Sequence, residues 1–179
     1  VAALAVVLLA AGAQAQSPAT TPESVAREYF AAMRAADWQR AARLMHPDAL
    51  GEFKGFFRAL AATDSASELL GAFFGVRTAA ELDALPPGEV YARMLGSMAR
   101  LSPEMRDAMS TLQADVVGQV PEGPGTAHVV YRMRVGVQDV SVSKVEVLSL
   151  RRSGGGWLAL LTGDLQGMMQ SLSRAAPRP

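Results

Sequence analysis

Ala127–Val137 reads AHVVYRMRVGV, and its side chains sort by parity. Ala127, Val129, Tyr131, Met133, Val135 and Val137 fall on one face, while His128, Arg132 and Arg134 fall on the other. A sustained period of two marks a strand with one buried and one solvated face. An apolar face of that length has to be covered, and the residues able to cover it lie upstream.

The flanking segments extend the same pattern. Leu112, Ala114, Val116, Gly118 and Val120 alternate with polar residues, and Pro121–Gly125 reads as the turn between the first two strands. Val142–Arg151 is expected as a third strand, Ser153–Gly156 as a four-residue turn, and Trp157–Leu161 as a fourth strand. With Gln138-Asp139 as the central turn, Tyr131 sits across from Glu146 and Met133 across from Lys144, all facing inward. A slip of one residue in the first strand would bury Gln113 and Asp115. The face of Leu112, Ala114 and Val116 is therefore expected beside Val129 and Tyr131, which demands an even count in the Pro121–Gly125 turn or a bulge.

Before the sheet the period is helical. Thr20 or Thr21 is expected to cap a helix with Pro22 and Glu23 in its first turn and Val25, Tyr29, Ala32, Met33 and Ala36 inward. Asp37 is expected to cap a second helix carrying Trp38, Ala41, Ala42 and Met45, with Pro47 limiting it. Asp48 would cap a third, with Leu50, Phe53, Phe56, Phe57 and Leu60 on a broad apolar face. Ser65-x-x-Glu68 and Thr78-x-x-Glu81 have the spacing of capping boxes. Pro86-Pro87 opens a helix that turns Val90, Met94, Met98 and Leu101 to one side, and Ser102-Pro103-Glu104 opens a short one. After the sheet, Asp164 is expected to cap a last helix with Leu165, Met168, Met169 and Leu172 inward. Helices followed by an antiparallel meander define the α+β class, with the helices on one face of the sheet.

Composition narrows the functional classes. The chain of 179 residues is 50% hydrophobic and 19% charged, enough for a real core. Lys+Arg and Asp+Glu are both 17, so nothing recommends nucleic acid as a partner, which calls for clustered positive charge. Cysteine is absent, which excludes disulfides, thiolate nucleophiles and zinc-thiolate sites.

Val1–Gly12 reads VAALAVVLLAAG, an apolar run without charge. It is shorter than the roughly 20 apolar residues of a membrane-spanning helix. Ala13-Gln14-Ala15 then offers the small-x-small pattern of signal-peptidase cleavage. The expected organisation is a signal peptide at 1–15, a short leader at 16–21, one α+β domain at 22–174 and a disordered tail at 175–179. The mature protein would be periplasmic or secreted, with no integral membrane segment after cleavage.

The segment Glu28-Tyr29-Phe30, then Asp37-Trp38, then Leu44-Met45-His46-Pro47-Asp48-Ala49-Leu50 resembles the opening of nuclear transport factor 2-like domains. That superfamily includes polyketide-cyclase-like and ketosteroid-isomerase-like proteins. The hairpin ending in Gly155-Gly156-Trp157, with the final strand, is similar too. The resemblance implies an exported bacterial member and a cone-like curved antiparallel sheet of about four strands packed against N-terminal helices. It implies a small-molecule pocket at the cone's open end. It does not cover Lys54–Ser110, where that family has far less helix, so an enlarged helical insertion is expected before the sheet.

Several residues are candidates for chemistry. His46 and Asp48 flank Pro47 and would suit an acid–base pair or half a metal site. The plainer reading, which is favoured, puts His46 at one helix C-terminus and makes Asp48 the cap of the next. His128 is the other histidine, on a polar strand face. Without HxH or HxxxH spacing no metal is expected, and no cofactor. Met94, Met98, Met105, Met109, Met168 and Met169 read as core rather than as an adaptable binding groove. Arg132 and Arg134 read as a solvated face, and Gly154–Gly156 as a hairpin turn rather than a phosphate loop, because a strand follows.

Glu146 with Tyr131 is the most informative pair. The resemblance implies that a carboxylate and a phenol facing the cone interior are what isomerases of this fold employ. The plainer alternative is that Glu146 and Lys144 lie beyond the helices and pair in water. An apolar ligand with one polar end is expected near Tyr131, Met133, Glu146 and Trp157. The leading expectation is a non-catalytic ligand-binding or accessory domain. Its alternatives are an isomerase- or cyclase-type enzyme and an interaction domain that forms a homodimer through its sheet.

Overall fold

The computed structural model describes residues 21–61, 66–137 and 140–175. The expected signal peptide, the Ser65 capping box, the Gln138-Asp139 turn and the tail beyond Ala175 lie outside the described residues. The elements run α1 (Pro22–Arg34), α2 (Trp38–Arg43), α3 (Pro47–Leu60), α4 (Ala66–Phe74), α5 (Ala79–Ala84), α6 (Pro87–Leu101) and α7 (Pro103–Ser110). Then come β1 (Gln113–Glu122), β2 (Thr126–Val137), β3 (Val140–Ser153), β4 (Gly156–Ala159) and α8 (Gly163–Ala175). The class is α+β, with a curved, unclosed antiparallel sheet of order β1-β2-β3-β4 behind the helices.

Local chemistry sets the helix ends. Thr21 Oγ1 accepts from Ser24 N at 3.2 Å and Ser24 Oγ accepts from Thr21 N at 3.0 Å, a reciprocal box that starts α1. Its other end closes on Ala36 at φ +54°, with Asp37 N donating to Ala32 O at 2.9 Å. A left-handed residue there is ordinarily glycine, so Ala36 holds local strain in exchange for a tight turn into α2. Asp37 caps α2 as expected.

The start of α3 corrects the reading. His46, and not Asp48, is its N-cap, accepting from Asp48 N at 3.2 Å through Nδ1, and Pro47 opens this helix rather than merely ending the last. Proline at the first helical position needs no N–H partner, so Pro47 belongs to the helix that follows it. Two further caps differ. Thr78 does accept from Glu81 N at 3.2 Å, but Glu81 reaches past the Thr78 N–H to Arg77 N at 2.6 Å, so the box is not reciprocal. Thr162, not Asp164, receives the first-turn amides of α8.

The sheet follows the predicted registers. Tyr131 faces Glu146 and Met133 faces Lys144. Ala114 pairs with Met133 and Val116 with Tyr131, and a bulge between Val116 and Gly118 reconciles this with the turn. The bulge ends the expected alternation: Val120 pairs with His128 on the outer face and is 57% exposed. The last hairpin turns on Gly154 and Gly155 alone, at φ +57° and +85°, so its loop is two residues and not four. Positive φ at both central positions gives the twist that joins right-handed strands, and glycine supplies it without strain.

Helices cover one face of the sheet. Phe53, Leu82, Val90, Val129, Leu148 and Leu150 are all fully buried. Gly96 lets α2 close on α6, since a Cβ there would come within 3.2 Å of the Trp38 ring. Leu101, expected inward, is exposed at 57%. The end of α4 is held by α6, where Ser97 Oγ donates to Phe73 O and Arg93 to Phe74 O, both at 2.8 Å. The two halves of the chain meet at Met45 and Ala159, which form a parallel bridge. There His46 N donates to Ala159 O at 2.7 Å and Ala159 N to Leu44 O at 2.8 Å.

Candidate functional site

The inner face of β3 emerges from the core one step at a time. Leu150 and Leu148 are fully buried, the Glu146 side chain is 16% exposed, the Lys144 side chain 54%, and Val142 is 52% exposed. Met133 and Val135, which face Lys144 and Val142 on β2, are half-buried. Helices therefore cover the base of the curved sheet and leave its far end open. Tyr131 and Glu146 stand at the boundary.

At that boundary the polar groups form a chain. Tyr131 donates its phenol proton to Glu146 Oε2 at 2.9 Å. Lys144 pairs with the other carboxylate oxygen of Glu146, and its Nζ also lies 3.4 Å from Asp164 Oδ2 at the start of α8. Burial pushes the Tyr131 phenol well above the ordinary range, and the hydrogen bond and charge of Glu146 push it further the same way. Bonding to Glu146, then its charge, raises the Lys144 ammonium, with a smaller contribution from Asp164. Tyr131 is thus a neutral donor and Lys144 a cation, and Glu146 has both oxygens engaged.

Below the pair, aromatic rings fill the interior. Phe30 lies 4.4 Å from Tyr131 between ring centroids, and Tyr29 lies 5.5 Å from Phe30. Tyr29 and Tyr91 share one hydrogen bond of 2.8 Å in the core. Burial raises both phenols, Tyr91 most, so both stay protonated. From Tyr91 the packing continues to Phe53 at 5.3 Å, Phe57 and Phe74. Helices α4 to α6 supply Leu70, Phe74, Leu82 and Tyr91 to this core. Tyr91 escaped the sequence reading because it sits beside Val90 on a helix whose buried face is broader than the apolar stripe used to define it.

Of the predicted ligand residues, Tyr131, Met133 and Glu146 are brought together and Trp157 is not. Trp157 does face the same side as Leu148 and Leu150. It pairs, however, with Arg152 at the opposite end of β3, and the Arg152 guanidinium lies over its ring at 4.9 Å. Three clefts, of about 430, 400 and 240 Å³, open among the helices, and none of the three is lined by these four residues.

The remaining candidates have structural partners. His46 Nδ1 accepts a backbone N–H and lies 3.6 Å from Asp48, whose carboxylate also meets Arg151 at 3.3 Å. His128 bonds Ser149 at 2.9 Å and Glu122 at 2.8 Å on the outer face. Met105 and Met168 are each 37% exposed, so they lie at the margin of the core where Met94 and Met169 are buried. Among the described residues no cluster of three or more metal-ligating side chains occurs, and no helix is long and apolar enough to cross a membrane. No family model, curated protein or solved structure matches the chain.

Proposed function

We propose that the chain is an exported, non-catalytic accessory domain of the nuclear transport factor 2-like kind, which takes an apolar small molecule at the open end of its sheet. The observation that carries the ligand reading is the exposure gradient along β3. It leaves Val142, Val135 and Met133 as apolar walls above a buried polar floor of Tyr131 and Glu146. Sites of this composition suit a mostly apolar molecule with one hydrogen-bonding end. Catalysis is disfavoured by the same floor. Glu146 is committed to Tyr131 and Lys144, which leaves no free base, and Tyr131 is held in its neutral form.

The test is a thermal-shift screen of apolar ligands against wild type, Tyr131→Phe and Glu146→Gln. A ligand present at a hundred times its dissociation constant stabilises by about 2.7 kcal/mol. For a domain of this size that raises the melting temperature by roughly 5–10 °C. The shift is expected in wild type and reduced in both variants. Equal shifts in all three, or no hit, would leave the pair with a structural role alone.

Export rests on Val1–Ala15, where the apolar run precedes Ala13-Gln14-Ala15. Protein recovered from the export compartment should begin at Gln16 by intact mass. An uncleaved chain in the membrane fraction would count against export.

A further inference from the structure

The cleft of about 400 Å³ lies where α2, the start of α3, the first turn of α6 and β4 converge, and its size is within the range of small-molecule sites. Ala42, Met45 and Leu50 give it a buried lining, and the half-buried Leu158 adds the strand side. Gly88 leaves room above them. A Cβ at that position would meet Ala42 Cβ and Leu50 Cδ1 at 3.8 Å, an ordinary contact, so a larger side chain there would lie on the apolar lining. Leu158 pairs with Arg151 on the outer side of the sheet, opposite in parity to Trp157. Neither Tyr131 nor Glu146 lines the cleft, so it is independent of the mouth.

The rim defines the polar end of an occupant. Gln39, Arg43 and Glu89 are its polar side chains. Glu89 is engaged at both oxygens: Gln39 Nε2 donates to Oε2 and Arg93 Nε to Oε1, both at 2.6 Å. Asp48, beside the lining residue Pro47, is held by Arg151 at 3.3 Å. Arg43 is exposed and makes no ion pair or side-chain hydrogen bond among the described residues. One uncompensated cation therefore borders an apolar surface. A guanidinium meets a carboxylate through two parallel N–H donors, and the low local dielectric beside an apolar body strengthens the pair. Charge also sets the valence. Glu89 and Arg93 cancel, so a monoanion neutralises Arg43, whereas a phosphate dianion would add surplus negative charge next to Glu89. None of the lining residues is aromatic, so the cleft offers no ring to stack on and suits an aliphatic body.

We infer that this cleft binds a monocarboxylic acid with an aliphatic chain of medium length. Its carboxylate lies on Arg43 and its chain over Ala42, Met45, Leu50 and Leu158. Met45 adapts the lining to the chain, since an unbranched thioether repacks at little cost.

Calorimetric titration of the purified chain with octanoate tests this. Wild type is expected to bind octanoate, to bind octanol about tenfold more weakly or worse, and to bind octyl phosphate no more tightly than octanoate. Arg43→Gln should weaken octanoate by about tenfold or more and leave octanol unchanged. Gly88→Leu should abolish binding of both by filling the cleft. Glu146→Gln, at the mouth, should leave octanoate unchanged. Arg43 is exposed and a Cβ at Gly88 clashes with nothing, so both variants should fold, and circular dichroism verifies that. Should Gly88→Leu not fold, the contrast between octanoate and octanol in Arg43→Gln still decides. No binding by wild type at millimolar octanoate, full affinity in Arg43→Gln, or tighter binding of octyl phosphate would overturn the inference. A loss seen in Glu146→Gln but not in Arg43→Gln would place the acid at the mouth and overturn it as well.

Discussion

Phe53→Ala is expected to lower the melting temperature by roughly 6–20 °C. Phe53 is fully buried, and its ring lies 5.0 Å from Phe57 and 5.3 Å from Tyr91. It is placed where α3 meets α6. Removing a buried phenyl ring costs about 3–5 kcal/mol, from lost burial plus the cavity left behind. A domain of this size loses about 2–4 °C for each kcal/mol. A cavity with such a lining stays dry and accepts small aromatic molecules, so benzene or a similar probe should restore part of the loss. Calorimetry reads both effects. A drop below about 2 °C would mean that the helices do not seal the cone's interior around this ring.

The second large effect is a failure of additivity at Tyr29 and Tyr91. These phenols bond only to each other among the contacts described, deep in the core. One phenol donates and the other accepts. Replacing either by phenylalanine leaves a buried hydroxyl without its partner, at a cost of about 1–3 kcal/mol. Replacing both removes the whole polar pair at nearly constant shape, which is close to neutral. The double variant should therefore be more stable than the sum of the singles predicts, by about 1 kcal/mol or more. A denaturant double-mutant cycle measures this coupling. Additive losses would show that each hydroxyl has a partner of its own.

The sheet was the most legible part of the fold because its information is local. Parity in Ala127–Val137 gave the buried face, and the penalty for burying Asp115 gave the register of β1 and the need for either an even turn or a bulge, of which the chain uses the bulge. The Tyr131–Glu146 contact followed from the β2–β3 register that a Gln138-Asp139 turn implies. What escaped the sequence depends on tertiary placement. Trp157 was assigned to the correct face, but position along that face is set by the pairing of β4 with only the last residues of β3. Residue type alone favours Asp48 as the cap of α3, but the backbone places His46 just outside the helix, where its Nδ1 accepts the Asp48 N–H. The Tyr29–Tyr91 bond spans α1 and α6, and no period within either helix encodes it.

The bridge between Met45 and Ala159 has a consequence for the order in which the molecule is completed. The hairpins of the sheet join sequence neighbours and close quickly, since short loops lose little entropy. The opening helices pack on one another and on α6, but their backbone bond to the sheet spans far more chain. Their backbone is fastened at Leu44 and His46 to Ala159 of β4, more than a hundred residues later. During synthesis, therefore, the backbone around Leu44 and His46 waits without this anchor until β4 has emerged. The same connection would make loss of the last strand felt first at α2 and α3, more than a hundred residues away in sequence.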